Sequence, residues 1–251
     1  AMVGAVALLV GALGGWLVRG GGDDSSGSGG GGGGGGGVAA GQLTTPILQG
    51  LASLNSYEWS LRAVTVGPTD VDREEQTATG QSDSQADMRY GRSTSTSTSA
   101  DDPEPYTSTS ESWRSSTMSC TFDGEEYQSE ATNPFEADVG TVLSGVFDIV
   151  IPAGNATRVG EETVGGVATT HWTFTIEGLG TGAGATVEQN QGDLWVANDG
   201  GYLVKYTVTT AMRSAPEGTP DAEVYRLELT LELTSVNQPV AIQMPAACPT
   251  A

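Results

Sequence analysis

The chain has 251 residues, of which 31 are acidic and 10 basic, for a formal net charge of −21. A surface this acidic repels nucleic acid and anionic membrane faces, so neither is expected as an electrostatic partner. About 210 residues follow Gly41, enough for one well-buried domain.

Residues 1–18, AMVGAVALLVGALGGWLV, carry no charge. At 1.5 Å per residue they predict a helix about 27 Å long, at the short end for a bilayer span. Gly4, Gly11 and Gly15 are its candidate helix–helix packing positions, because small residues let backbones approach closely in lipid. No basic region precedes the apolar run, which implies either a leader processed upstream or a trimmed chain. A hydrophobic helix kept ahead of a soluble head resembles the layout of type IV pilin-like subunits. The predicted division is a hydrophobic helix over 1–19, a Gly-rich linker over 20–41 and a β-rich extracytoplasmic domain over 42–251. Gly29 to Gly37 is unbroken glycine. It is a flexible tether in isolation, or an extended three-fold helix where neighbouring chains supply hydrogen bonds.

In the head, Thr45-Pro46 predicts a helix start, with Ile47, Leu48, Leu51 and Leu54 on one face. Tyr57, Trp59 and Leu61 alternate as in a half-buried strand. The pattern breaks at Ala63-Val64, where a bulge is expected. Val71 to Ser116 is polar and predicts two or three exposed strands. Its runs RSTSTSTS (92–99) and YTSTS (106–110) are either exposed strands and loops or a surface carrying O-linked sugar. Met118, Cys120 and Phe122 alternate up to the turn Asp123-Gly124.

Asn133-Pro134 predicts a second helix. Val139, Val142, Leu143, Val146, Phe147 and Val150 form its apolar stripe, wide enough to cover a sheet or line a groove. Hairpins then turn at Gly165-Gly166 and at Asn198-Asp199-Gly200-Gly201. Tyr202, Val204, Tyr206 and Val208 are expected on one face. Tyr225, Leu227, Leu229, Leu231 and Leu233 alternate with polar residues in the most regular strand. The fold class is α+β, mainly β: one curved, half-barrel-like antiparallel sheet, wet on one face, with two helices on the other.

No residue stands out as catalytic, and neither a metal ligand set nor a cofactor motif is present. His171, the single histidine, falls on the face opposite Trp172, Phe174 and Ile176, and no activated nucleophile accompanies it. The glycines of GLGTGAG (178–184) lack the lysine of a phosphate loop. No enzyme activity is expected. Cys120 and Cys248 lack metal-ligand spacing and predict one disulfide, worth about 4–5 kcal/mol by chain entropy and indicating an oxidising compartment. Asn155-Ala156-Thr157 is a sequon for N-glycosylation at Asn155.

Four stretches, LNSYEWSL, GGVATTHWTFTI, GDLWVANDGGYLVKYTVT and VNQPVAIQMPAAC, resemble the LolA/LppX-type lipoprotein fold over about residues 43–248. The resemblance implies a strongly curved sheet closed by helices, with lipid chains in the cavity of several members. Two functions follow as expectations. The first is a cell-surface structural subunit that assembles with copies of itself through the N-terminal helix into a pilus-like filament. The second is a membrane-anchored carrier, seated in membrane lipid through residues 1–18, that binds a lipid in the head. Either places the head outside the cytoplasm, at the cell surface or on a membrane anchor.

Overall fold

The computed structural model describes residues 37–69, 71–131, 155–175, 186–213 and 223–248. Strand β1 (Gly37–Ala39) leads into helix α1 (Ala40–Ala52). Then come β2 (Ser56–Val66), β3 (Arg73–Asp83), β4 (Met88–Thr98), β5 (Tyr106–Arg114), β6 (Met118–Phe122) and β7 (Tyr127–Ala131). The later strands are β8 (Asn155–Val164), β9 (Val167–Phe174), β10 (Thr186–Ala197), β11 (Leu203–Arg213) and β12 (Val224–Val236).

The described strands form one sheet in the order β1-β8-β9-β10-β11-β12-β2-β3-β4-β5-β6-β7. Two antiparallel meanders, β2 to β7 and β8 to β12, are joined where β12 returns beside β2. At this seam Leu231 faces Leu61 and Leu233 faces Trp59. The pairing is specific because a slip of one residue would turn every leucine of β12 to the other face.

Helix α1 covers the middle of one face of the sheet, here called the helix face. Ile47 and Leu51 are 2% exposed and pack with Leu54, Tyr57, Leu194, Leu203, Tyr206 and Leu231 in the main core. Burying each such side chain contributes about 1.5–3 kcal/mol. Proline prefers the first helical position, yet Pro46 lies inside α1. The helix begins earlier because β1 pairs with β8 at the sheet edge, and the chain turns into α1 directly from that strand.

Several expectations are corrected. The helix face carries one helix among the described residues, not two. On that face the Phe174 ring lies over Gly192 and the Trp59 ring over Gly80. The predicted stripe Val139–Val150 and the predicted hydrophobic helix over 1–19 lie outside the described residues. Among the described residues no helix is long and apolar enough to cross a membrane. No bulge occurs at Ala63-Val64, since β2 and β3 pair without a break from Ser56 to Val66. Val64 is buried on the opposite face, so apolar residues occur on both sides of β2 in continuous register. A register shift between Trp195 and Val196 pairs Val196 with Leu203. It brings Leu203, not Val204, into the main core cluster.

The opposite face is not uniformly wet. After β12 the chain crosses it as an irregular segment, residues 237–248. Asn237, at φ 54°, donates its N–H to Ser56 O at 2.8 Å. Ser56 Oγ donates to Gln238 O at 2.6 Å. The segment then lays Ile242 and Met244 against a second core of Trp113, Cys120, Tyr90, Phe122 and Tyr127. A disulfide between Cys120 and Cys248 holds its end.

Turn carboxylates tie the periphery of this meander to pH. Asp123 Oδ1 accepts N–H bonds from Glu125 and Glu126 at 3.0 Å each. Those bonds, Glu126 first and then Glu125, hold its carboxyl below the usual carboxylate range. A carboxyl depressed by folding contributes stability above its unfolded pKa of about 4, and that contribution is lost as pH falls through the lower folded value. The difference in melting temperature between the wild type and Asp123→Asn is therefore constant above about pH 5 and shrinks below about pH 4. A difference independent of pH in thermal melts would contradict this.

Candidate functional site

Beyond α1 the helix face continues without becoming polar at once. Leu229 pairs with Ala63 on one side and Val208 on the other, and Leu227 pairs with Thr65 and Thr210. Leu227, Leu229 and Ala63 are only half-buried, while Leu231 and Tyr206 under the helix have 0% and 1% exposure. These residues make an apolar floor that starts at the core and runs along β12 and β2. Burial pushes the Tyr206 hydroxyl far above its ordinary pKa and raises that of Tyr57, as expected where water is excluded.

Across β3 to β5 the same face changes chemistry. The strict Ser-Thr alternation of β4 and β5 sends all the serines to one side. Ser93 pairs with Ser110 and Ser95 with Ser108. Through Ala78 and Gln76 of β3 they share a face with Leu61 and Ala63. The threonines go to the other side, where Thr94 meets Thr109 and Thr96 meets Thr107 at 3.2 and 3.1 Å between hydroxyl oxygens. A shallow cavity of about 270 Å³ there is lined by Arg73, Glu75, Thr77, Thr94, Thr96 and Thr98. Alternating Ser and Thr are expected to part to opposite faces of a strand. The sequence alone did not say which set shares a face with the core.

The helix face of β4 and β5 ends in two arginines. Arg89 and Arg114 are cross-strand partners. Arg89 also pairs with Ser82, which pairs with Tyr57 of the main core.

His171 lies on the opposite face, paired with Trp195 and stacked on it at 4.5 Å and 10° between planes. Its Nε2 is 2.9 Å from Asp193 Oδ1 and its Nδ1 is 3.2 Å from Glu162 Oε1. Trp195 Nε1 donates to the same Glu162 oxygen. Lys205 Nζ sits 5.7 Å from the centroid of the Trp195 ring and 2.7 Å from Glu232 Oε1. Each imidazole nitrogen is engaged by a different carboxylate. Neither is placed to take a proton from a nucleophile, and the three groups do not converge on one point as metal ligands must. Among the described residues no group of three or more His, Cys, Asp or Glu side chains is arranged to hold a metal ion.

The structure joins Cys120 to Cys248, with Cα atoms 6.0 Å apart. Asn155 begins β8 opposite Ala39. Gly4, Gly11 and Gly15, and Val139, Val142, Leu143, Val146, Phe147 and Val150, lie outside the described residues. The arginine pair and the apolar floor were missed as features. The leucine alternation of β12 signalled the floor, but its half-exposure depends on where α1 stops.

No protein-family model and no curated protein sequence matches this chain. Among solved structures it is similar to the lipoprotein LppX of Mycobacterium tuberculosis, at 16% identity and a TM-score of 0.42, covering 82% of this chain and 98% of that one. It is similar to LprF from Mycobacterium bovis at 19% identity and a TM-score of 0.38, covering 82% and 97% of the two chains. It also matches the MucA/MucB complex structure of Pseudomonas aeruginosa, at 12% identity and a TM-score of 0.33, over 85% of this chain and 64% of that one.

The expectation of a self-assembling, pilin-like filament subunit is corrected. Among the described residues there is no apolar helix of membrane length to form the core of a fibre.

Proposed function

We propose that this chain is a non-enzymatic, extracytoplasmic lipid carrier of the LolA/LppX kind. One observation carries the reading: the leucine row of β12 runs out from under α1 as a half-buried apolar floor instead of ending at the core. Leu227 and Leu229 keep apolar surface partly in water, at about 25 cal/mol per Å², unless an acyl chain covers it. The disulfide supports an oxidising, extracytoplasmic setting. In this reading residues 1–18 seat the protein in membrane lipid, and the stripe Val139–Val150 closes the lipid against the sheet. Asn155 is the acceptor for any N-linked glycan.

The test is mass spectrometry of protein extracted under mild conditions. A bound lipid is expected, and Leu229→Asp lowers its occupancy at least about tenfold, because a carboxylate on an apolar floor must be desolvated when the chain docks. Protein that carries no lipid and takes none up from vesicles would end the carrier reading.

A further inference from the structure

On the face away from α1, β4 presents Thr94, Thr96 and Thr98, and β5 presents Thr107 and Thr109 beside them. These positions carry no charge, in a chain of net charge −21. The strip is bounded at one end by Arg92 and Glu111, whose closest charged atoms are 3.8 Å apart. Along its β3 side runs a chain of ion pairs. Glu75 Oε1 accepts from Arg62 Nε at 2.8 Å, and Glu75 Oε2 accepts from Arg73 at 3.0 Å. The register sets Glu75 opposite Thr96, Arg73 opposite Thr98 and Thr77 opposite Thr94. Long charged side chains on β3 therefore stand beside short hydroxylated ones on β4. The cavity of about 270 Å³ lies along this step.

The lining suits uncharged hydroxyl groups. A threonine hydroxyl is both donor and acceptor. The Thr94–Thr109 and Thr96–Thr107 bonds each use one of two protons. Each pair keeps a second proton and spare lone pairs for a ligand. Thr98 donates to Val71 O at 2.6 Å, so its oxygen is left as an acceptor. Arg73 supplies donors and Glu75 supplies acceptors. Arg73 first, and then Arg62, hold the Glu75 carboxyl below the usual carboxylate range. An anion in the cavity would meet Glu75, and a cation would meet Arg73. A neutral polyol meets neither penalty. Each threonine also sets a methyl beside its hydroxyl, as a sugar ring sets C–H beside O–H. Threonine is stiff at χ1, so little rotamer entropy is lost when a ligand docks. The cavity is smaller than the roughly 300 Å³ at which pockets for drug-sized ligands begin. That suits a sugar ring and not an acyl chain. Strand propensity favours threonine, but it does not account for the paired charges that wall the strip.

We propose that this cavity is a binding site for a neutral saccharide, with Thr94 and Thr96 beneath the ring and Arg73 and Glu75 holding its hydroxyls from the side. The site lies on the face opposite the apolar floor and does not depend on the carrier reading. Hydrogen bonds to the charged pair are stronger than those to the threonines, so the pair supplies affinity and the threonines fix the ring's position.

The experiment titrates the full chain, labelled at its threonine methyls, and follows their NMR signals. The probes are the methyl α-glycosides of glucose, mannose and galactose, with maltotriose, sodium glucuronate and inorganic phosphate. At least one neutral glycoside is expected to shift the Thr94 and Thr96 methyls, with a Kd of about 10 mM or tighter. Thr94→Val/Thr96→Val keeps the shape and removes two hydroxyls, and should weaken that binding about fivefold or more. Thr207→Val/Thr209→Val makes the same change on β11, away from the cavity, and should leave it unaltered. Tighter binding of maltotriose than of the glucoside would support the site with a glycan chain as the source, and equal binding would support it with a free sugar. Absence of shifts with every neutral probe overturns the proposal. Tighter binding of glucuronate or phosphate than of the glycosides overturns it in favour of an anion on Arg73. Equal loss in the β11 variant overturns the location. If the Thr94/Thr96 variant does not fold, the wild-type shifts decide alone, and a map centred away from Thr94 and Thr96 overturns the site.

Discussion

Cys120→Ser combined with Cys248→Ser is expected to lower the stability of the head by about 4–5 kcal/mol. The bond spans 128 residues of sequence, so its loss frees a long loop in the unfolded chain. Its native-state role adds to this. The segment 237–248 has no regular strand or helix of its own. It is held on the sheet by the Asn237 and Ser56 bonds at one end, by Ile242 and Met244 in the middle and by the disulfide at the other end. Without the covalent end, the Trp113–Tyr127 aromatic cluster loses its cover. For a domain of this size a loss of 4–5 kcal/mol corresponds to a fall in melting temperature of about 10–20 °C. The same fall should appear on adding reductant to the wild type and should be absent when reductant is added to the double variant. A reductant effect that persists in the variant would show that the disulfide is not its source.

Gly50→Ala is the second large effect, expected to cost about 3 kcal/mol or more. A Cβ at Gly50 would stand 2.6 Å from Gly200 O, Gly201 C and Tyr202 N. All three are backbone atoms of the turn between β10 and β11, so no side chain can swing away. Gly200 and Gly201 both have positive φ, 84° and 65°, and the turn has little freedom to yield. The helix must lift, and Ile47 and Leu51 lift with it. In an ordinary exposed helix the same substitution would stabilise by about 1 kcal/mol, so the sign alone distinguishes the two situations. Urea unfolding of Gly50→Ala reads it directly. A midpoint equal to or above that of the wild type would mean that α1 does not rest on this turn.

Much of the architecture was legible because it is written in short periods. The leucines of β12, the Asn198–Gly201 turn and the Gly165-Gly166 turn each state their own local structure, and the strands form where the alternation says. The Thr45-Pro46 start signal misled, since the start of α1 was set by β1 docking on β8, 116 to 120 residues further along the chain. The break at Ala63-Val64 misled for a related reason. A strand buried in part on both faces keeps its register while losing its alternation.

From its residues alone, this protein determined its mainly-β character, its turns and the two-fold division of each strand into faces, since those depend on neighbours two to four positions apart. Only the tertiary structure decided that β12 closes on β2, that the C-terminal segment covers the face away from α1, and that the serines and the Arg89–Arg114 pair share a side with the core. A period of two names two faces without saying which is inside. That choice is made by contacts between residues far apart in the chain.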